Sequence, residues 1–269
     1  MFVDSHCHLS FPELHDRVPQ ILADMRAARV RGALCICTAL EEFETVHALA
    51  AGHPNLWASV GVHPDTEDMA EPSEALLCEL AARPKVIAIG ETGLDYYRLN
   101  GRSIADMAWQ RERFRQHIRA GRRMKLPLVI HTRNASEDTL AILKEEGAGT
   151  EGSGVCGVFH CFTETMDVAR AALDLGFHIS FSGIVSFRNA ADLREVARFV
   201  PLERCLIETD SPYLAPIPYR GKTNSPAYVP HVAAVVAAEK GLAVELLAEA
   251  TTHNFEQLFG VQVPALGAA

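Results

Sequence analysis

Eight short apolar runs recur along this chain, each followed by a segment whose apolar residues return at helical spacing. The runs are 2–5, 33–37, 56–62, 86–90, 128–131, 155–159, 178–181 and 205–207. Runs this short and this uniformly apolar are what parallel strands become when both of their faces are covered. Between them the pattern predicts helices over 18–31, 40–51, 73–82, 104–124, 136–145, 165–175 and 190–199, and two closing helices over 228–240 and 243–258. Gly32 and Gly52-His53-Pro54 supply stop signals. Eight such units predict an α/β fold, a single-domain (β/α)8 TIM barrel. An open doubly wound sheet also alternates strands and helices, but no G-x-G-x-x-G follows the first run. The 269 residues fit one barrel, expected over 1–260, with a poorly ordered C-terminal tail over 261–269.

A barrel of this kind gathers the C-terminal ends of its strands on one face, where active sites sit. The first run ends with His6 and His8, which alternate onto one side of the strand. The third ends with His63, the fourth with Glu91, the fifth with His131, the sixth with His160 and the eighth with Asp210. Random placement would scatter such residues over both ends and over the helices. Nitrogen and oxygen donors without thiolates suit zinc, manganese or magnesium. Four histidines with a glutamate and an aspartate exceed what one catalytic ion needs, because such an ion keeps a position open. Two divalent ions sharing a carboxylate is the economical reading, with Glu91 as the bridge. Such a pair lowers the pKa of a bridging water and neutralises charge on a displaced phosphate oxygen.

Composition narrows the partners. The net charge of −9 argues against a protein that coats nucleic acid by bulk electrostatics. A polyanionic substrate must be held locally, by metal ions or a small basic rim. The seven cysteines are odd in number and form no C-x-x-C, which argues against a disulfide framework and fits a reducing compartment. No apolar run reaches the ~20 residues of a membrane span. No signal peptide is visible at the N-terminus. A cytoplasmic location is expected, with no membrane association and no obligate protein partner.

The motifs around these residues carry a resemblance. They are Asp4-Ser5-His6-Cys7-His8-Leu9, Gly61-Val62-His63-Pro64, Gly90-Glu91-Thr92-Gly93-Leu94-Asp95-Tyr96, and Gln110-Arg111 with Phe114. They continue with Leu128-Val129-Ile130-His131-Thr132-Arg133, Phe159-His160-Cys161-Phe162, Glu208-Thr209-Asp210-Ser211-Pro212 and Arg220-Gly221-Lys222-Thr223-Asn224-Ser225-Pro226. In these, and in their order along nearly the whole chain, the sequence resembles the TatD family of metal-dependent hydrolases, a branch of the amidohydrolase-like superfamily. The resemblance implies the (β/α)8 fold and a divalent-metal site. It implies that His6, His8, Glu91 and Asp210 hold one ion, and Glu91, His131 and His160 the other. It also implies deoxyribonuclease activity with 3′→5′ exonuclease action. Two departures stand out: Thr163-Glu164-Thr165 in place of a Ser-Gly pair, which adds a carboxylate near the rim, and Thr92 in place of the usual isoleucine.

Roles follow from chemistry. Asp210 is expected to be a ligand and the general base that takes a proton from the attacking water. Glu91 is expected to bridge. His63 is expected either to orient a phosphate or leaving group, or to hydrogen-bond a ligand from behind. Glu208 is expected to support a ligand rather than be one. Arg133, Arg220 and Lys222 would rim the metal face and bind phosphate. Tyr96, with Tyr97 and Tyr213, would stack on a base. Cys7 and Cys161 are assigned to barrel packing, the remaining histidines to packing or solvent, and the Arg111–Arg123 cluster to an outer helix face.

The function expected is a deoxyribonuclease acting on DNA at single-stranded or frayed 3′ ends. The alternative is a metal-dependent hydrolase of an ester or amide, such as misacylated tRNA, since a metal-activated water attacks carbonyls as well. A third reading, a non-catalytic metal-dependent binding module, fits poorly with retention of every candidate ligand.

Overall fold

The structure is a computed structural model that describes residues 1–264. Its eight strands are β1 Phe2–Cys7, β2 Val30–Cys35, β3 Leu56–Val60, β4 Val86–Asp95, β5 Leu128–Arg133, β6 Gly157–Phe159, β7 His178–Phe181 and β8 Cys205–Ile207. Each pairs in parallel with its neighbour in sequence, in the order β1 through β8. An isolated parallel bridge between Cys7 and Ser211 closes the ring just past β8. There the His8 N–H donates to Ser211 O (2.8 Å) and the Asp210 N–H to His6 O (3.0 Å). The expected (β/α)8 barrel is the observed fold.

The helices are α1 Pro12–His15, α2 Val18–Ala27, α3 Phe43–Gly52, α4 Glu74–Ala81, α5 Ala108–Met124, α6 Ser136–Glu145, α7 Met166–Asp174, α8 Ala191–Phe199, α9 Val229–Lys240 and α10 Val244–Phe259. At four residues, α1 is too short to show a period, so the sequence pattern missed it. The long helix expected over 104–124 begins later, at Ala108, after a 3₁₀ turn over Ala105–Met107.

The most consequential difference is β4. It does not stop at Gly90, because Thr92, Gly93, Leu94 and Asp95 pair with Ile130, His131, Thr132 and Arg133 of β5. Glu91 therefore lies inside a strand, at a register shift, and not at a strand end.

One apolar group draws Val3, Leu34, Trp57, Ile87, Val129, Val158 and Leu206 from seven strands, together with Phe255 and Phe259 of α10. Residues from so many members of a closed ring meet only inside it. The α10 helix plugs the end where strands begin: Thr252 Oγ1 donates to Met1 O (3.2 Å), and Asn254 Nδ2 to Cys205 O (2.9 Å). A larger apolar layer lies between strands and outer helices, as burial on both strand faces requires. The opposite end of the ring stays open.

The expected tail is packed where it begins. Val263 is buried, and Arg31 donates to Val263 O (2.8 Å) and Pro264 O (2.6 Å). Its remainder lies outside the described residues. No helix among the described residues is long and apolar enough to cross a membrane.

Candidate metal centre

Beyond the strand ends lies a cavity of about 540 Å³ lined by His8, His63, Glu91, His131, His160 and Asp210, among others. His6 lies beneath, fully buried. The backbone brings these groups together by close approach of β4 and β5. A Cβ on Gly90 would sit 2.7 Å from Val129 O, and one on Gly93 would overlap the His131 carbonyl. Glycine at both positions lets Glu91 approach the histidines of the next two strands.

The two oxygens of Glu91 face different partners. Oε2 lies 3.3 Å from His6 Nε2 and 4.0 Å from His8 Nε2, and Asp210 Oδ1 stands 3.5 Å and 3.3 Å from the same two nitrogens. Oε1 lies 2.8 Å from His160 Nε2, 3.2 Å from His131 Nδ1 and 3.4 Å from His63 Nε2. Two three-residue clusters of donor atoms follow from this: His6, His8 and Glu91, and His63, Glu91 and His131. A third is formed by His6, His160 and Glu208. His6 and His160 stack between the two sides, centroids 3.9 Å apart. The structure thus brings all six expected ligands together and adds the His63 imidazole to the Oε1 side.

The histidines on the Oε1 side have carboxylates behind them. His131 Nε2 donates to Asp95 Oδ2 (3.1 Å), His160 Nδ1 faces Glu208 Oε1 (3.3 Å), and His63 Nδ1 pairs with Asp65. Such partners fix the ring and its tautomer, leaving a lone pair on the inward nitrogen. Asp95 and Asp65 were not singled out from sequence. Asp95 shares the strand face of Glu91 four residues on, so alternation could have found it, whereas Asp65 lies in the turn beyond β3, where alternation does not apply. On the other side, His6 Nδ1 and His8 Nδ1 have no hydrogen-bond partner. A missed residue organises that side from below. Fully buried Asp4 accepts from the backbone N–H of Thr209 (2.9 Å) and His6 (3.2 Å) and from Thr209 Oγ1 (2.5 Å), tying β1 to the turn that carries Asp210.

Electrostatics agree with this geometry. Burial pushes the Glu91 carboxyl up, but the charges on His160 and His63 and the contact with His131 hold it well below its ordinary value. Burial likewise opposes ionisation of Asp210, and the hydrogen bond with His8 and the charges of His6 and His160 keep it low. Burial lowers His160, yet Glu91 and Glu208 outweigh it and raise the ring well above its ordinary value. The pocket therefore favours positive charge at its centre. Inward lone pairs converging on an ionised carboxylate, with His160 Nε2 buried and lacking a hydrogen-bond partner, are a donor set that fits divalent cations.

The rim departs from expectation. Arg133 lines the cavity. Arg220 and Lys222 do not; Arg220 lies on the Phe187 ring (4.1 Å to the centroid), and Lys222 points to Tyr219 (5.8 Å). Tyr96 is not a stacking platform: it is buried, and its hydroxyl donates to Asp138 (2.7 Å) and accepts from Arg111 (3.0 Å). Its neighbour Tyr97 is exposed instead. Cys161 faces the cavity rather than packing on the far side, because its left-handed backbone (φ 41°) breaks the strand alternation. Glu164 accepts from Ser136 Oγ (2.6 Å), tying the loop after β6 to the start of α6. His117, read as packing or solvent, is fully buried, and its Nε2 accepts from the Val62 N–H (3.0 Å) just before His63.

Comparison with known proteins agrees with this architecture. A family model described as TatD related DNase matches residues 3–260. The uncharacterized metal-dependent hydrolase YcfH of Escherichia coli (strain K12) is 48% identical over 267 residues, spanning 98% of this chain and 97% of its own length. A protein of Escherichia fergusonii named 3'-5' ssDNA/RNA exonuclease TatD is 34% identical over 241 residues, 87% of this chain and 90% of its own. Among solved structures, YJJV, a TatD homolog from Escherichia coli K12, matches with a TM-score of 0.87 at 28% identity, covering 97% of this chain and 98% of that one.

Proposed function

This chain belongs to the TatD family of metal-dependent hydrolases, and from that premise we propose that it hydrolyses phosphodiester bonds of DNA, working from single-stranded or frayed 3′ ends. The observation that carries the reading is the division of Glu91: Oε2 faces His6, His8 and the Asp210 side, and Oε1 faces His63, His131 and His160. This supports two cation positions sharing one carboxylate, the first held by His6, His8, Glu91 and Asp210, the second by Glu91, His131 and His160 with His63 beside them. Divalent ions there would lower the pKa of a water between them and offset charge on a phosphate oxygen.

The chain's own groups do the rest. Asp210 turns Oδ1 to His6 and His8, which leaves Oδ2 to take the proton of an attacking water. Asp65, Asp95 and Glu208 hold the rings of His63, His131 and His160 in place. The relative named as an ssDNA/RNA exonuclease supports a nucleic-acid substrate. Purified protein with Mg²⁺, Mn²⁺ or Zn²⁺ should release mononucleotides from the 3′ end of a DNA oligonucleotide, and Glu91→Ala and Asp210→Ala should each abolish that release. Cleavage of acyl esters, with no phosphodiester cleaved under any metal, would replace this reading with that of an esterase.

A further inference from the structure

The mouth of the cavity has two unlike walls. Next to β8 and β1 the wall is apolar, built by Phe11, Ile184, Tyr213 and Leu214. Tyr213 is 52% exposed and meets Phe11 edge-on, centroids 6.2 Å apart, while Phe11 lies flat on His8 at 4.5 Å. Fully buried Asn224 donates from Nδ2 to Thr209 O (2.8 Å) and Tyr213 O (2.6 Å), which ties the loop carrying the Tyr213 ring to the end of β8. An exposed tyrosine ring held in place at the edge of a polar cavity, with an apolar edge beside it, suits a nucleobase.

Beside β4 and β5 the wall carries Arg133, the one arginine or lysine lining the cavity among the described residues. Its guanidinium carbon lies 3.6 Å from the centroid of the Tyr97 ring, which is 54% exposed. Stacking fixes the plane of the guanidinium and leaves its N–H edge open. Among the described residues no carboxylate pairs with Arg133 and no acceptor takes its side-chain N–H groups. The α5 arginines differ: Arg113 pairs with Glu71, Arg115 with Glu145 and Arg119 with Glu146. Elsewhere the cavity lining offers the carboxylates Glu91, Asp65 and Asp210, which repel an anion unless cations cover them.

Resting on the phosphodiesterase reading above, we infer that the enzyme grips two features of a strand besides the phosphate it cleaves: a nucleoside on one side of that phosphate stacks on Tyr213 beside Phe11, and the next phosphate on the other side is bound by Arg133 held over the Tyr97 ring. Preference for a strand over a simple diester then comes from these two walls.

The test uses the dinucleotide TpT and its 5′- and 3′-phosphorylated forms, each cleaved by the full chain with Mn²⁺. One phosphorylated form places its extra phosphate at Arg133, and its kcat/KM exceeds that of TpT about tenfold, as expected for a charged hydrogen-bonded contact. In Arg133→Ala that ratio falls to near unity. It survives in Arg115→Ala, a charge removed from the outer helix. Tyr97→Ala lowers the ratio and Tyr97→Phe restores it. Tyr213→Ala raises KM for TpT about tenfold with kcat held, as for a lost stacking contact. A wild-type ratio of unity for both phosphorylated forms, a ratio unaffected by Arg133→Ala, or a KM unmoved by Tyr213→Ala overturns the inference and leaves the phosphodiesterase reading standing. Failure of the wild type to cleave any of the three with any divalent metal overturns that reading and the inference together.

Discussion

His160 Nε2 is buried and stands 2.8 Å from Glu91 Oε1. With Nδ1 directed to Glu208, a neutral ring would meet the carboxylate lone pair to lone pair, and in the absence of a cation burial is outweighed by the two carboxylates, which raise the ring so that it holds a proton there. Such a pair is unfavourable until a proton or a cation lies between the two atoms. Divalent ions should therefore stabilise the fold. At a hundred times the Kd the gain is about 2.7 kcal/mol, a rise of several degrees in Tm for a chain of this size. Glu91→Ala should lose most of that rise in a thermal melt with Mn²⁺ or Zn²⁺, and chelation should reverse it in the wild type.

Asp95 accepts from His131 Nε2 (3.1 Å) and from the Tyr97 N–H (2.7 Å). Removing such a partner typically costs roughly 10–100-fold in metal affinity. Asp95→Ala should weaken binding at the Oε1 side by that factor, read by titration calorimetry, while Asp95→Asn, which still accepts from the ring, should lose less. Equal affinities in wild type and Asp95→Ala would count against the carboxylate's role.

Fully buried Asp4 accepts three hydrogen bonds, one from His6 within β1 and two from Thr209 that join β1 to the turn after β8. Asp4→Ala strands the Thr209 and His6 donors in a buried setting, at about 1–3 kcal/mol for each unsatisfied group. The metal-free variant should melt well below the wild type, and Asp4→Asn should fall between them.

Two buried histidines make stability depend on pH. Burial lowers both His117 and His178 to about 4, from 6.5. The unfolded chain thus binds more protons than the folded one as pH falls below 6.5. The stability that these residues carry is fully present above that value and is lost as the pH drops towards 4, by up to about 3 kcal/mol each. His117 has a specific reason to stay neutral: Nδ1 donates to Arg113 O (2.8 Å) and Nε2 must accept from Val62. Urea unfolding between pH 7 and 4.5 should show stability falling more steeply in the wild type than in His117→Gln.

The barrel was legible because each parallel strand, covered on both faces, had to be a short apolar run, and the donor residues stood out by ending those runs. What escaped depended on backbone detail. The extension of β4 to Asp95 hides in a motif whose glycines and polar residues do not read as a strand, and only its pairing with β5 reveals it. Tyr96 and Tyr97 are adjacent and chemically equal, and the fold buries one against Asp138 and Arg111 while exposing the other. Cys161 was misplaced because alternation fails at a left-handed residue. Arg220 and Lys222 follow β8 in sequence but lie on nearby aromatic rings instead of the cavity wall.

Anomalous scattering from crystals grown with Mn²⁺ or Zn²⁺ tests the central claim most directly. Two peaks are expected, each within coordination distance of one Glu91 oxygen, one bounded by His6, His8 and Asp210 and the other by His131 and His160. A single peak, or two peaks with Glu91 bound to only one of them, would contradict the shared-carboxylate account.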